Sequence, residues 1–275
     1  RSHQIDSPLS EGDEVITPAV GFPTTVNPIY QQGLVPVYVD VETDTLNPTV
    51  EMIEEAIGPK TRAIVAAHCI GNPFDASAVE KICEERGLHL IEDCCDALGS
   101  EIDGRQVGTF GKASTYSFYP AHHMTTGEGG AVGTEDPGWT RAVASLREWG
   151  RDCWCPPGVN NACGHRFDGQ YGNMPVDYDH KYVFSHVGFN FKITDMQAAL
   201  GLAQLERVEG FHAARRANFA HLDALMQDLD EHLILPRALP TADPSWFGYP
   251  FTLKNGDSAM RRDLQLFLEE RKIDS

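Results

Sequence analysis

Ala63-Ile64-Val65-Ala66-Ala67 is a short apolar run, Asp75 heads a helical stretch that runs to Glu85, and Gly87 is followed by a second apolar run, Leu88-His89-Leu90-Ile91-Glu92. The aspartate caps the helix by accepting backbone N–H groups, and the glycine supplies the left-handed residue that ends it. Strand, capped helix and strand in this order form a unit whose two strands lie parallel. The alternation continues outward in both directions. Further strands are expected at residues 14–17, 35–41, 113–118 and 130–134, and Asn47-Pro48-Thr49 opens another helix that runs to Ile57. The pattern predicts an α/β domain with a mixed, mainly parallel sheet and helices on both faces.

Composition agrees with a packed domain. The chain has 275 residues, of which 41% are hydrophobic and 23% charged, so it buries a large core and is not disordered. That length suits one large α/β domain, or one domain and part of a second. The formal net charge of −18 repels nucleic-acid phosphates and anionic lipid surfaces, which excludes nucleic acid as a partner. No apolar run approaches a membrane span, and the polar start Arg1-Ser2-His3-Gln4 has no signal-peptide core, so a cytoplasmic protein is expected. The missing initiator Met and the ending at Ser275, directly after an amphipathic segment, read as an internal fragment of a longer chain.

From about residue 150 to 187 the texture changes to Gly, Pro, Asn, Asp, Cys and aromatics without a period, and unstructured stretches this long are usually functional. Thr194 then caps a long helix with Met196, Ala199, Leu200, Ala203 and Leu205 at helical spacing, and a second helical run is expected at 211–229. Residues 246–253 read as the first strand of a C-terminal domain. The expected division is a cofactor-binding large domain at 1–210, including the 150–187 insertion, and the beginning of a smaller domain at 211–275.

Three constellations carry chemistry. Leu90-Ile91-Glu92-Asp93-Cys94-Cys95 ends a strand in a carboxylate, and ligands of open α/β sheets sit at the carboxyl ends of strands; a turn or capping Asp is the other reading. Ser117-Phe118-Tyr119-Pro120-Ala121-His122-His123 leads from a strand into a polar loop running to Gly130. A hydroxyl there suits a phosphate, and an imidazole that titrates near neutrality suits acid–base work, with a metal ligand or a surface loop as alternatives. The third is Cys95, Cys153-Trp154-Cys155 and Cys163, four of seven cysteines. A reducing cytosol argues against disulfides. The intervals of 57, 1 and 7 residues match neither zinc's paired knuckles nor the plant-type ferredoxin pattern, which leaves metal binding and inert thiols both open.

Asp93 and Ser117 together resemble the sugar-modifying branch of the fold-type I pyridoxal-phosphate enzymes, the aminotransferase family also called DegT/DnrJ/EryC1/StrS. The resemblance implies a fold-type I PLP-dependent aminotransferase-like large domain. It implies that Asp93 pairs with the cofactor's pyridine nitrogen and that Ser117 contacts its phosphate. The Schiff-base lysine of the family is replaced by His122, and none of Lys60, Lys81, Lys112, Lys181, Lys192, Lys254 and Lys272 follows Ser117 at that spacing. An imidazole has no primary amine, and the replacement matches the family's 3-dehydratases, which keep pyridoxamine phosphate and use His as a base. Gly21-Phe22-Pro23-Thr24-Thr25 places Phe22 where an aromatic ring stacks on the cofactor. Gly188-Phe189-Asn190-Phe191-Lys192 places Asn190 where it reaches the phosphate of a neighbouring subunit in a homodimer.

The cysteines resemble those of the [2Fe-2S] branch of these dehydratases, which implies that Cys95, Cys153, Cys155 and Cys163 hold the cluster. Asp179-His180-Lys181-Tyr182 is similar to that branch as well. Cys69, Cys83 and Cys94 are assigned to packing, with Cys94 able to line the cofactor site. The implied reaction is C3 deoxygenation of a nucleotide-linked 4-keto-6-deoxyhexose in deoxysugar and lipopolysaccharide biosynthesis. His122 is its base, and an iron–sulfur flavoprotein reductase or a ferredoxin supplies electrons through the cluster. A PLP-dependent nucleotide-sugar aminotransferase, a cluster-free 3-dehydratase and a zinc-stabilised binding protein on an enzyme scaffold are the competing readings. His68 is either a substrate contact or a structural histidine, and Arg147, Arg151 and Arg166 either meet sugar-nucleotide phosphates or are solvated charges.

Overall fold

The computed structural model describes residues 7–156 and 158–275; the start Arg1-Ser2-His3-Gln4 and Pro157 of the Cys-Trp-Cys stretch lie outside the described residues. Six strands, β1 (Glu14–Pro18), β2 (Val35–Val39), β3 (Thr61–Ala67), β4 (His89–Asp93), β5 (Ala113–Ser117) and β6 (Gly130–Gly133), form one sheet in the order β2-β1-β3-β4-β5-β6. The first five are parallel, and β6 returns antiparallel beside β5. Each matches an expected strand within two residues at either end.

Alternation along the strands divides the core between two faces. Ile16, Ile64, Ala66 and Leu90 pack with Ile53 of α2 (Val50–Glu55) and with Val79 and Cys83 of α3 (Ala76–Arg86). Val15, Ala63 and Val65 face the other way, onto Ile29 of α1 (Pro23–Gln31). Each fully buried aliphatic chain contributes about 1.5–3 kcal/mol, so a register slip of one residue would exchange these sets and is strongly disfavoured. Asp75 caps α3 through the Ala78 amide at 3.0 Å, and Gly87 ends it with φ +66°.

The chain leaves β1 toward β2 on one side and returns to β3 on the other. A crevice therefore opens where the carboxyl ends of β1 and β3 diverge, the place where open α/β sheets bind ligands. α4 (Pro137–Arg147) precedes the 150–187 segment, which among its described residues has no ladder and a single 3-10 turn at His180–Tyr182. An isolated bridge between Arg151 and Phe184 joins its two ends, and one between Glu148 and Asn190 ties the chain just beyond it to the close of α4. Thr194 caps α5 (Asp195–Leu205) through a reciprocal capping box with Gln197, and α6 (Val208–Met226) follows, so the 210/211 boundary falls inside one helix.

The strand expected at 246–253 is corrected. Only Thr252–Leu253 is strand, paired with Leu233–Ile234, ahead of α7 (Ser258–Glu269). Residues 244–249 form instead a strap laid on the domain. Trp246 stacks on Phe219 of α6 at 3.9 Å, and the Phe247 amide donates to Ile70 O at 2.9 Å, so the backbone is committed to single contacts and not to a ladder. Glu101–Ile102 and Arg105–Gln106 form a short hairpin extended by Ala242–Asp243, pieces too short to carry a period in sequence.

Candidate active site

Asp93 closes β4 at the rim of the crevice. Thr25, in the first turn of α1, donates to Asp93 Oδ2 at 2.6 Å, while the Cys95 amide and Thr115 Oγ1 donate to Oδ1 at 3.1 and 3.3 Å. Three neutral donors fix the carboxylate, and among the described residues no cation pairs with it. That arrangement suits a protonated ring nitrogen, which is what a pyridoxal-type cofactor presents. Pro23 opens α1, as a residue without an N–H can, and leaves Phe22 before it 71% exposed at the mouth. The crevice itself is a cavity of about 280 Å³ whose walls include Phe22, Thr25, Tyr30, Tyr38 and Ala67. Ser117 ends β5, beyond Thr115 on the same strand; its Oγ accepts from the Tyr119 amide at 3.2 Å and keeps its proton for an incoming acceptor.

His122 lies in the loop that follows β5. Its Nδ1 stands 3.3 Å from Asp96 Oδ1, and its ring is 5.3 Å from that of Phe247 on the strap. Burial lowers its pKa, and the charge of Asp93 opposes that. His123 differs. It is buried, donates from Nε2 to Ser245 O at 2.5 Å, and is pushed down to about 4, chiefly by burial. Lys112 precedes β5 at the opposite end of the strand from Ser117, and Lys192 lies over the Trp149 ring with Nζ on Asn190 Oδ1 at 2.6 Å. Neither amine stands where His122 does.

The insertion gathers its own donor set. The thiols of Cys153 and Cys155 and a ring nitrogen of His180 lie within 4.8 Å of one another, and Cys163 Sγ is 3.7 Å from His180 Nε2. Asp179 holds the turn: it accepts from Arg166 Nη2 at 2.6 Å and from the Lys181 amide at 3.1 Å, while the His180 amide donates to Arg166 O at 3.1 Å. Soft sulfur donors with an imidazole fit Zn²⁺ or an iron–sulfur centre. Cys95 sits beside Asp93 and is not a member of that close group; burial, then the Asp93 charge, pushes its thiol pKa up.

Other sequence candidates fall elsewhere. Cys94 is fully buried in the core. His68 is structural: it is buried against Glu92 at 3.1 Å and stacked on Phe74 at 4.4 Å. Glu92 also accepts the amides of Gly108, Phe110 and Gly111, and although burial opposes it, His68 and these amides hold its carboxyl below the usual range. Arg147 pairs with Glu148, Arg151 lies between Trp149 and Phe184, and Arg166 is committed to Asp179. Thr25, Asp96, His180, Arg215 and Phe247 were not selected from the sequence. His180 could have been found in the Asp179-His180-Lys181-Tyr182 stretch, whereas Arg215 and Phe247 carry no local signal.

Strand order, the crevice at the switch point and the carboxylate, hydroxyl and imidazole at or just beyond the carboxyl ends of β4 and β5 define an α/β large domain of the PLP-dependent aminotransferase type. The chain belongs to the DegT/DnrJ/EryC1/StrS aminotransferase family, which it matches over residues 5–275. It is 55% identical over 265 residues to lipopolysaccharide biosynthesis protein RfbH of Salmonella typhimurium, covering 96% of this chain and 61% of that one. It is 54% identical over 265 residues to dTDP-4-dehydro-2,6-dideoxy-D-glucose 3-dehydratase of Saccharopolyspora spinosa, covering 96% of this chain and 57% of that one. The chain thus spans less than two thirds of the length of either relative. A crystal structure of GDP-4-keto-6-deoxymannose-3-dehydratase with a trapped PLP-glutamate geminal diamine is similar at a TM-score of 0.81 and 30% identity, over 97% of this chain and 66% of that one. Among the described residues no helix is long and apolar enough to cross a membrane.

Proposed function

We propose that this chain is the cofactor-bearing part of a cytoplasmic pyridoxamine-phosphate-dependent 3-dehydratase that acts on a nucleotide-linked 4-keto-6-deoxyhexose. The observation that carries this reading is an imidazole, His122, in the loop after Ser117 where an aminotransferase needs a primary amine. Relatives named as 3-dehydratases support it. Bound pyridoxamine phosphate supplies an amine for the sugar ketone and a ring that accepts electrons. Asp93 would keep the ring nitrogen protonated, Ser117 would donate to the phosphate, and Phe22 would cover one face of the ring. His122 would take a proton next to that amine and hand it to the departing C3 hydroxyl, so that water is lost. Val187, Phe191 and Met196, 97%, 69% and 81% exposed around Asn190, support a homodimer in which Asn190 completes the neighbouring phosphate site.

Cys95, Cys153, Cys155 and Cys163 would hold a [2Fe-2S] cluster, which supplies one-electron transfer from a flavoprotein reductase or a ferredoxin. A cluster-free dehydratase is the second reading, favoured by the absence of Cys95 from the close group of Cys153, Cys155 and His180. The holoprotein purified without oxygen separates them by its absorption spectrum and by its iron, sulfide and zinc content. Borohydride should trap no cofactor-linked peptide, and His122→Asn should lower turnover by about 10²- to 10⁴-fold, the usual weight of a general base. A reduced cofactor peptide containing Lys112 or Lys192, or a His122→Asn enzyme at full rate, overturns the dehydratase reading.

A further inference from the structure

His122 Nδ1 is buried without a hydrogen-bond partner, and the carboxylate of Asp96 is 3.3 Å away. A neutral imidazole serves as a base at Nε2 only in the tautomer whose proton is on Nδ1, and an acceptor beside Nδ1 selects that tautomer. Three separate elements converge on this pair. Asp96 lies on the turn after β4, and Arg215 comes from α6, where its Nη1 donates to Trp246 O at 3.2 Å and Phe247 O at 3.0 Å. Burial, then the charge of Asp93, raises the Asp96 carboxyl to about 6, and the positive charge of Arg215 opposes that rise. The strap then brings the Phe247 ring to 5.3 Å from His122 while its own amide is anchored on Ile70 O at 2.9 Å. His123 cannot substitute, because its Nε2 is already committed to Ser245 O.

We propose that Asp96 is the positioning residue of the base, accepting the Nδ1 proton of His122, and that Arg215 and Phe247 lock this pair from the C-terminal side. The inference rests on the reading of His122 as the base. In the proton transfer Nε2 gains the proton, the imidazole becomes imidazolium, and the Asp96 carboxylate faces the new positive charge, with no other bond made or broken at the pair. Residues 93 and 125 positions downstream of His122 thereby become part of the catalytic geometry, which explains why the strap is buried and stacked where no ladder requires it.

The test is a double-mutant cycle in the holoprotein, read by kcat, KM and the affinity for added pyridoxamine phosphate followed by absorbance. Asp96→Asn offers Nδ1 a donor in place of an acceptor and should lower kcat by about 10²-fold or more, with KM and cofactor affinity within about threefold. Asp96→Glu should recover part of the loss. Because Asp96 acts through His122, Asp96→Asn in the His122→Asn background should cost little further. Phe247→Leu should give a smaller loss of the same kind, and it carries the test if Asp96→Asn fails to fold. Losses that multiply in the double variant, or a normal kcat in Asp96→Asn and Phe247→Leu, overturn the proposal. Full activity in His122→Asn alone instead sinks the base assignment beneath it, and the two failures are told apart by that single variant.

Discussion

Gly71→Ala tests whether the strap is held as described. Gly71 has φ +84°, and a Cβ built on it would lie 2.7 Å from Ser245 O, 2.8 Å from Asp96 O and 2.9 Å from Phe247 N. All three are backbone atoms, so no side chain can swing aside, and the strap or the Asp96 turn must move. A non-glycine residue in this left-handed region costs about 1–2 kcal/mol by itself. Displacing the strap also breaks Phe247 N to Ile70 O at 2.9 Å, Ser100 Oγ to Gly71 O at 2.8 Å and Ser245 N to Ser100 Oγ at 2.8 Å. At about 1 kcal/mol net for each bond, the expected loss is about 4–5 kcal/mol, a large share of an ordinary domain's stability. Denaturant unfolding should show it as a lower midpoint, and hydrogen exchange should show lost protection at the Ser245 and Phe247 amides. Gly104→Ala is the control, since Gly104 has φ +74° but nothing within 4 Å of the added carbon, and only the backbone cost should appear. Equal stability and unchanged protection in Gly71→Ala and Gly104→Ala would refute the account of the strap.

Two further outcomes are expected. The unfolded imidazole of His123 takes its proton near pH 6.5, whereas the folded one resists until about 4. The unfolded state therefore binds more protons in that window, and the stabilisation present above pH 6.5 is lost as pH falls to about 4, roughly 3 kcal/mol in all. Denaturant unfolding of His123→Gln from pH 7.5 to 4 should show a shallower decline than the parent, and parallel declines would exclude this group as the cause. Cys153→Ser should remove metal and loosen the insertion, because the described residues of that segment have no ladder to order them. Metal analysis and the electron paramagnetic resonance of the dithionite-reduced protein read the first effect, and limited proteolysis between 150 and 187 reads the second. An undiminished cluster signal in Cys153→Ser would remove the electron-relay part of the proposed function.

Local physics made much of this protein legible before its structure. Strand alternation and helix capping act over a few residues, so all six sheet strands, the Asp75 and Thr194 caps and the Gly87 terminator could be read directly, and with them the positions of Asp93, Ser117 and His122 at strand ends. Tertiary structure alone decided the strand order and hence the switch-point crevice, because strand-sized apolar runs do not say which neighbours they will pair with. It alone laid 244–249 down as a strap where a strand was expected at 246–253, since the stacking of Trp246 on Phe219 and the anchoring on Ile70 join residues far apart in the chain. The same reason hid the environment of the base. Asp96, Arg215 and Phe247 share no period or spacing, and only the packing of α6 and the strap against the carboxyl end of β4 brings a carboxylate, a guanidinium and a ring around His122.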